Sequence, residues 1–306
     1  MSLRDRYLEN GYVIVRGALP DALLASALEE LERFKRQKRL YFTQSTHSWA
    51  WSKSLTSEGF LIDSIQSPTK QWTCGRGLRR SVTEIICSQY VSKMLAEISG
   101  FEYFVNWQNM LFDKSAGTVD HADTWYLDTK PSGFMIAAWI ALEDIHVDAG
   151  RFFVVPKSNQ LRLPEHSSAV IGGHYDYAKF IDDYVEGNGL ERYAPDLRAG
   201  DVLFWHPFTI HGAFNQSDER RSRKSLTAHY HPVGMPRNRK AESPSAISKY
   251  MGKMRKTFNP YIFLDNADPS DFDFCTKSLF RHVFRSLRGK GGVGQWFMDR
   301  ELVRTM

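Results

Sequence analysis

The chain has 306 residues, 42% of them hydrophobic and 25% charged, with a formal net charge of +5. That composition excludes wholesale disorder and fits a globular protein with one large core or two small ones. The basic surplus is local: residues 1–235 carry 26 basic and 28 acidic side chains and residues 236–306 carry 14 and 7, so the body lacks the broad positive surface of a nucleic-acid binder.

The first residues, Met1 to Arg6, lack the apolar segment of a signal peptide. The longest apolar run, Met135 to Leu142, is far short of a membrane span. Cys74, Cys87 and Cys275 are scattered without C-x-x-C spacing, which argues against a disulfide framework or a cysteine zinc site and for a reducing compartment. A soluble, cytoplasmic protein is expected.

The run from Gly11 to Gly17 is β-branched, bounded by glycines, and predicts a strand. Pro20-Asp21 opens a helix whose apolar stripe is Leu24, Leu28, Leu31 and Phe34. Residues 40–80 read mostly as loop. A capping-box pattern at Ser81 and Glu84 precedes Ile86, Tyr90, Met94 and Ile98, predicting a helix that stops at Gly100. From residue 101 the texture changes to short apolar runs separated by turn residues: 101–112, 133–142, 151–155, 201–205 and 223–230. Strands at this density predict a jelly roll or sandwich. The expected class is therefore α+β, with helices flanking a β core. Residues 277–288 predict a basic amphipathic helix, with Leu279, Phe280, Val283, Phe284 and Leu287 on its apolar side. No internal repeat is evident.

The chemistry concentrates at His121-Ala122-Asp123. In an extended strand, residues i and i+2 share a face, so His121 and Asp123 can meet one ion. A second histidine would complete a two-histidine, one-carboxylate facial triad, which leaves positions open for a co-substrate and dioxygen on Fe(II). His211, after the strand 201–205, is the favoured partner; His206, His229 and His231 compete as core or supporting histidines. A dicarboxylate that chelates iron at one end needs a cation at the other, and an arginine fork meets a carboxylate with two hydrogen bonds. Arg223 is the candidate, Ser225 on the same strand face adds a hydroxyl, and Arg220 and Arg221 are rivals nearer the preceding turn.

Over roughly residues 8–232 the sequence resembles the phytanoyl-CoA dioxygenase family of Fe(II)/2-oxoglutarate-dependent oxygenases. The resemblance is carried by the strand Gly11–Gly17, His121-Ala122-Asp123, the segment Trp139–Asp144, the segment Gly150–Ser158, Gly200–Phe204, Ile210-His211-Gly212 and Arg223-Lys224-Ser225. It implies a double-stranded β-helix (jelly-roll, cupin-like) core with flanking N-terminal helices. His121, Asp123 and His211 would be the catalytic iron ligands. Arg223 with Ser225 would bind the far carboxylate of 2-oxoglutarate, and Trp139 would line its pocket. Gln108 and Met110 share a strand face leading to the site and are candidate contacts to the co-substrate; Trp125 and Tyr126 are candidates for the substrate wall. Two positions depart from the family pattern: Lys157 where glycine is usual and Asn159 where histidine is frequent.

The cofactors so implied are Fe(II), 2-oxoglutarate and O2, with succinate and CO2 as co-products and hydroxylation of a small molecule as the reaction. Asp123, where halogenating relatives have glycine or alanine, favours hydroxylation or a related oxidation. The alternatives are a cupin-like metal-dependent isomerase or dioxygenase, which would not need Arg223, and a non-enzymatic binding module. No nucleic-acid partner and no membrane span are expected, and a homodimer is left open. Residues 1–235 are expected to form the oxygenase domain, and 236–306 a basic, partly helical extension packed on it.

Overall fold

The computed structural model describes residues 1–43, 49–115, 117–125, 127–161, 163, 174–235, 255–256 and 259–264. Helix α1 (Leu3–Asn10) opens with reciprocal capping between Ser2 and Asp5 and ends at Gly11, whose φ of +80° is a left-handed stop. The sequence expectations contain no such helix, because it is short and mostly polar. Strand β1 (Tyr12–Val15) and helix α2 (Asp21–Arg36) fall where predicted, and α2 buries Leu24, Ala27, Leu31 and Phe34.

The expected loop region holds three two-residue strands, β2 (Tyr41–Phe42), β3 (Trp49–Ala50) and β4 (Ile65–Gln66). Two helices follow, α3 (Arg76–Ile86) and α4 (Gln89–Ser99), where one was expected. Ser81 lies inside α3, its hydroxyl bonded to the Leu78 carbonyl. The cap is Ser88, which accepts the Val91 N–H at 3.2 Å. The apolar stripe continues upstream of Ser81 through Leu78 and downstream through Val82 and Ile85, all buried, so burial rather than the capping pattern fixes the start of α3.

Strands β5 (Phe104–Phe112), β6 (Thr118–His121), β7 (Ile136–Ala141) and β8 (Phe152–Val154) precede helix α5 (His174–Gly187). Then come β9 (Val202–Trp205), β10 (His211–Ala213), β11 (Ser225–Pro232), β12 (Arg255–Lys256) and β13 (Ile262–Leu264). Four of the apolar runs predicted as strands contain β5, β7, β8 and β9, and the fifth overlaps β11, which runs two residues further; α5 is a second helix without a sequence expectation. The tail helix predicted over 277–288 lies outside the described residues.

The large sheet has the order β1-β9-β7-β11-β5-β13-β12, with β4 also paired to β5. The small sheet is β6-β10-β8. From β5 to β11 the chain alternates between the two sheets, odd-numbered strands entering the large one and even-numbered strands the small one. The β7 residues are all buried because both faces are covered. Ile136, Ala138 and Ile140 join the core beneath α1–α4, together with Phe204, Leu226 and Tyr230. Ala137, Trp139 and Ala141 face the small sheet and pack with Phe152, Val154, Leu203 and Trp205. Helix α5 covers the far side of the small sheet through Tyr177, Ile181 and Val185 against Val155 and Ile210. The protein is thus a mixed α and β structure with a β-sheet core. No described helix is long and apolar enough to cross a membrane.

Candidate metal centre

The sheet register builds the site. His121, the last residue of β6, is paired directly with His211, the first of β10, and their rings lie 4.2 Å apart. Asp123 does not continue the strand: it opens a single 3₁₀ turn, Asp123–Trp125. The extended-strand argument for His121 and Asp123 is therefore corrected. The chain turns immediately after β6, and this turn, not period-two alternation, brings the carboxylate to the imidazoles. The donor atoms of His121, Asp123 and His211 all lie within 4.8 Å of one another, the one such cluster among the described residues.

Both histidines are oriented alike. His121 Nδ1 is 2.8 Å from the Val119 carbonyl and His211 Nδ1 is 2.9 Å from the Thr209 carbonyl. With Nδ1–H donating to the backbone, Nε2 carries the lone pair that can ligate a metal on each ring. Burial pushes His211 down to about 4, so it presents a neutral imidazole fit to bind a cation. Trp205 Nε1–H donates to Asp123 Oδ2 at 2.9 Å. A bidentate bond from Arg192 to Asp120, with a further bond to Asp182 of α5, fastens the strand beneath His121. The Ser158 hydroxyl accepts the Ile210 N–H at 2.8 Å and donates to the Val155 carbonyl at 2.7 Å, anchoring the approach to His211. Two imidazoles and a carboxylate suit a divalent transition metal.

Arg223 lies just before β11 and is 2% exposed. Its main-chain N–H donates to the Asp113 carbonyl and Nη1 to the Gly150 carbonyl, while Nε has no partner. No acidic side chain among the described residues pairs with it, and burial lowers it to about 10. A buried, charged fork with an unsatisfied donor fits an incoming carboxylate. The rivals behave differently: Arg220 and Arg221 are exposed and paired with Asp218. A ladder of rings joins Arg223 to the histidine cluster. The guanidinium lies 5.9 Å from the Trp139 ring, Trp139 stacks on Phe152 at 5.9 Å, and Phe152 lies 5.7 Å from His211.

Ser225 is buried, and its hydroxyl donates to the Arg223 carbonyl. Gln108 lies opposite His229, and Met110 opposite Thr227, on the face shared by Arg223 and Ser225. Gln108 Oε1 and Thr227 Oγ1 are buried without partners. Trp125 closes the turn that Asp123 opens; Tyr126 lies outside the described residues. Sequence reasoning gave no role to Trp205 or Thr227 and left His229 a supporting histidine; His229 Nε2 stands 3.7 Å from Asp123 Oδ2. Counting in twos along β11 from Arg223 would have placed Thr227 and His229 on the site face.

A family model described as phytanoyl-CoA dioxygenase (PhyH) matches residues 7–224. The chain belongs to the phytanoyl-CoA dioxygenase family. It is 25% identical to the peroxisomal phytanoyl-CoA dioxygenase of Homo sapiens over 232 residues, 74% of this chain and 67% of the relative. It is 32% identical to a probable phytanoyl-CoA dioxygenase of Caenorhabditis elegans over 111 residues, 36% of this chain and 35% of that one. Among solved structures, the non-heme α-ketoglutarate-dependent epimerase SnoN from nogalamycin biosynthesis superposes with a TM-score of 0.58 at 19% identity, covering 85% of this chain and 96% of SnoN. EctD from S. alaskensis, with 2-oxoglutarate and 5-hydroxyectoine, gives a TM-score of 0.54 at 13% identity and 75% coverage of each chain. These two share the fold. Family membership and the His–Asp–His cluster make this chain an iron- and 2-oxoglutarate-dependent oxygenase.

Proposed function

We infer that the protein hydroxylates a C–H bond of a small molecule, with His121, Asp123 and His211 holding Fe(II). When bound there, iron supplies the oxidation chemistry with dioxygen and 2-oxoglutarate, which leaves as succinate and CO2. Arg223 receives the far carboxylate of 2-oxoglutarate. Trp139 flanks the guanidinium and Ser225 holds the Arg223 backbone; Met110 and Gln108, further along the same face, are assigned to the co-substrate, with the Gln108 amide oxygen unpaired. Trp125 and Tyr126 are assigned to the substrate wall. The aromatic and aliphatic lining between the sheets excludes water from this space.

The observation that carries the reading is the unpaired, buried Arg223 at the other end of the ring ladder from the histidine cluster. A metal-dependent isomerase that makes no use of 2-oxoglutarate would have no need for that costly cation. Succinate formation from 2-oxoglutarate with Fe(II), measured across a panel of candidate substrates, is expected and should vanish in Asp123→Ala. Failure of the purified protein to bind iron and to consume 2-oxoglutarate with any substrate would overturn the reading.

The strict alternation of β5–β11 between two facing sheets supports a double-stranded β-helix, or jelly roll. Residues 1–235 are taken as the oxygenase domain and 236–306 as an extension of it; the pairing of β13 with β5 supports this. The buried cysteines Cys74 and Cys87 suit a reducing compartment such as the cytoplasm. Sedimentation analysis distinguishes a monomer from a homodimer.

A further inference from the structure

Trp205 is the side chain that touches most of the metal centre without belonging to it. Its backbone is fixed on both sides within the large sheet, opposite Tyr12 of β1 and Ala137 of β7. Its carbonyl accepts the Tyr7 hydroxyl at 3.3 Å. Its ring lies 4.8 Å from His211, 5.1 Å from Phe152 and 5.8 Å from His229, the last edge-on. Trp205 and Asp123 are each 1% exposed, so water cannot take over the bond between them. An indole nitrogen is only ever a donor; it cannot itself bind a metal, and its one polar act is to hold an acceptor.

We propose that Trp205 is a positioning residue for Asp123: its indole N–H stays on the carboxylate when a metal is bound and presents Asp123 to the ion in a fixed orientation. This rests on the assignment of Asp123 as a ligand. The carboxylate sits on a short turn rather than in a strand, so its backbone alone does not fix its direction. The two histidines each have a backbone carbonyl on Nδ1 for this purpose, and Asp123 has the indole. Outer partners of this kind are worth about 10–100-fold in metal affinity. The ring also backs His211, so one rigid side chain aligns two of the three ligands.

Two measurements on the full-length protein test this, with Zn(II) as a redox-silent probe. Trp205→Phe keeps the ring and removes the N–H, and should weaken Zn(II) binding about 10–100-fold in a chelator competition. In ¹⁵N-labelled wild type, the Trp205 indole proton should be downfield and slow to exchange both before and after Zn(II) loading. It should move upfield in Asp123→Ala, which reports the bond even where Trp205→Phe fails to fold. Unchanged Zn(II) affinity in a folded Trp205→Phe, or loss of the indole bond on loading, would overturn the proposal. Absence of Zn(II) binding by the wild type would instead sink the ligand assignment itself.

Discussion

His121 and His211 face each other across a single rung of the β6–β10 pair, and each gives its Nδ1 to the carbonyl two residues earlier in the chain. The spacing of the two donors is therefore a property of backbone register. A shift of one strand against the other would separate them, whatever the side chains did.

Gly212 guards that register. The pairing of β10 with β6 is irregular between His211 and Ala213, and a Cβ on Gly212 would lie 2.6 Å from both the Phe153 ring and the Thr118 carbonyl. The ring can turn, but the carbonyl belongs to the paired strand. Gly212→Ala should cost about 1–3 kcal/mol in urea unfolding and weaken Zn(II) binding at least about tenfold. Full retention of Zn(II) affinity would show that the rung tolerates a wider strand separation.

Arg223 carries a stability cost that a bound carboxylate, as proposed above, would offset. Its charge is buried with carbonyl contacts and no acid, and uncompensated buried charge is destabilising. Arg223→Met is expected to leave the ligand-free unfolding temperature unchanged or raise it. Saturating 2-oxoglutarate with Zn(II) should stabilise the wild type by roughly 2–3 kcal/mol at about 100 times Kd, and this rise should disappear in the variant. Differential scanning fluorimetry reads both effects. An equal ligand response in the two proteins would move the carboxylate anchor elsewhere.

His206 gives the fold an acid sensitivity of its own. Burial lowers it from 6.5 to about 4, so the unfolded chain binds the proton more readily between those values. Stability from this group is present above pH 6.5 and is lost as the pH falls towards 4. The Phe208 N–H donates to its Nδ1 at 3.2 Å, and an asparagine can accept the same bond in an Asx turn. In urea titrations at pH 7 and pH 4.5, His206→Asn should lose about 2–3 kcal/mol less than the wild type. Parallel losses would place the acid sensitivity in other groups.

Lys157 occupies a left-handed conformation, φ +64°, at the position where the sequence departs from the family's glycine. A side chain there is strained by about 1–2 kcal/mol, offset in part by the greater freedom of glycine in the unfolded chain. Lys157→Gly should stabilise the protein by about 0.5–1 kcal/mol in equilibrium unfolding. A loss of stability would mean that the Lys157 side chain makes a compensating contact.

The strands and the triad were legible in the sequence because each rests on local signals. Apolar runs separated by turn residues mark β5, β7, β8, β9 and β11, and the triad residues sit in recognisable short motifs. Helix α1 was missed because a short polar helix leaves little periodic trace and draws its stability from packing. The bond from Trp205 to Asp123 joins residues 82 positions apart and exists only because two sheets stack face to face. No spacing rule reports such a contact. The backbone at Asp123 is illegible for the opposite reason: a motif that matches is compatible with more than one backbone shape.

Strand β13 lies parallel to β5, with Ile262, Phe263 and Leu264 opposite Phe104, Val105 and Asn106, while Asn259 Nδ2 bonds the Ser92 hydroxyl of α4. The family match ends at residue 224, and cutting the gene shortly after β11 would look harmless. Such a protein would expose the first half of β5 as a bare hydrogen-bonding edge, open to strand exchange between copies. Solubility on expression, rather than catalysis, is where the last seventy residues would first be missed.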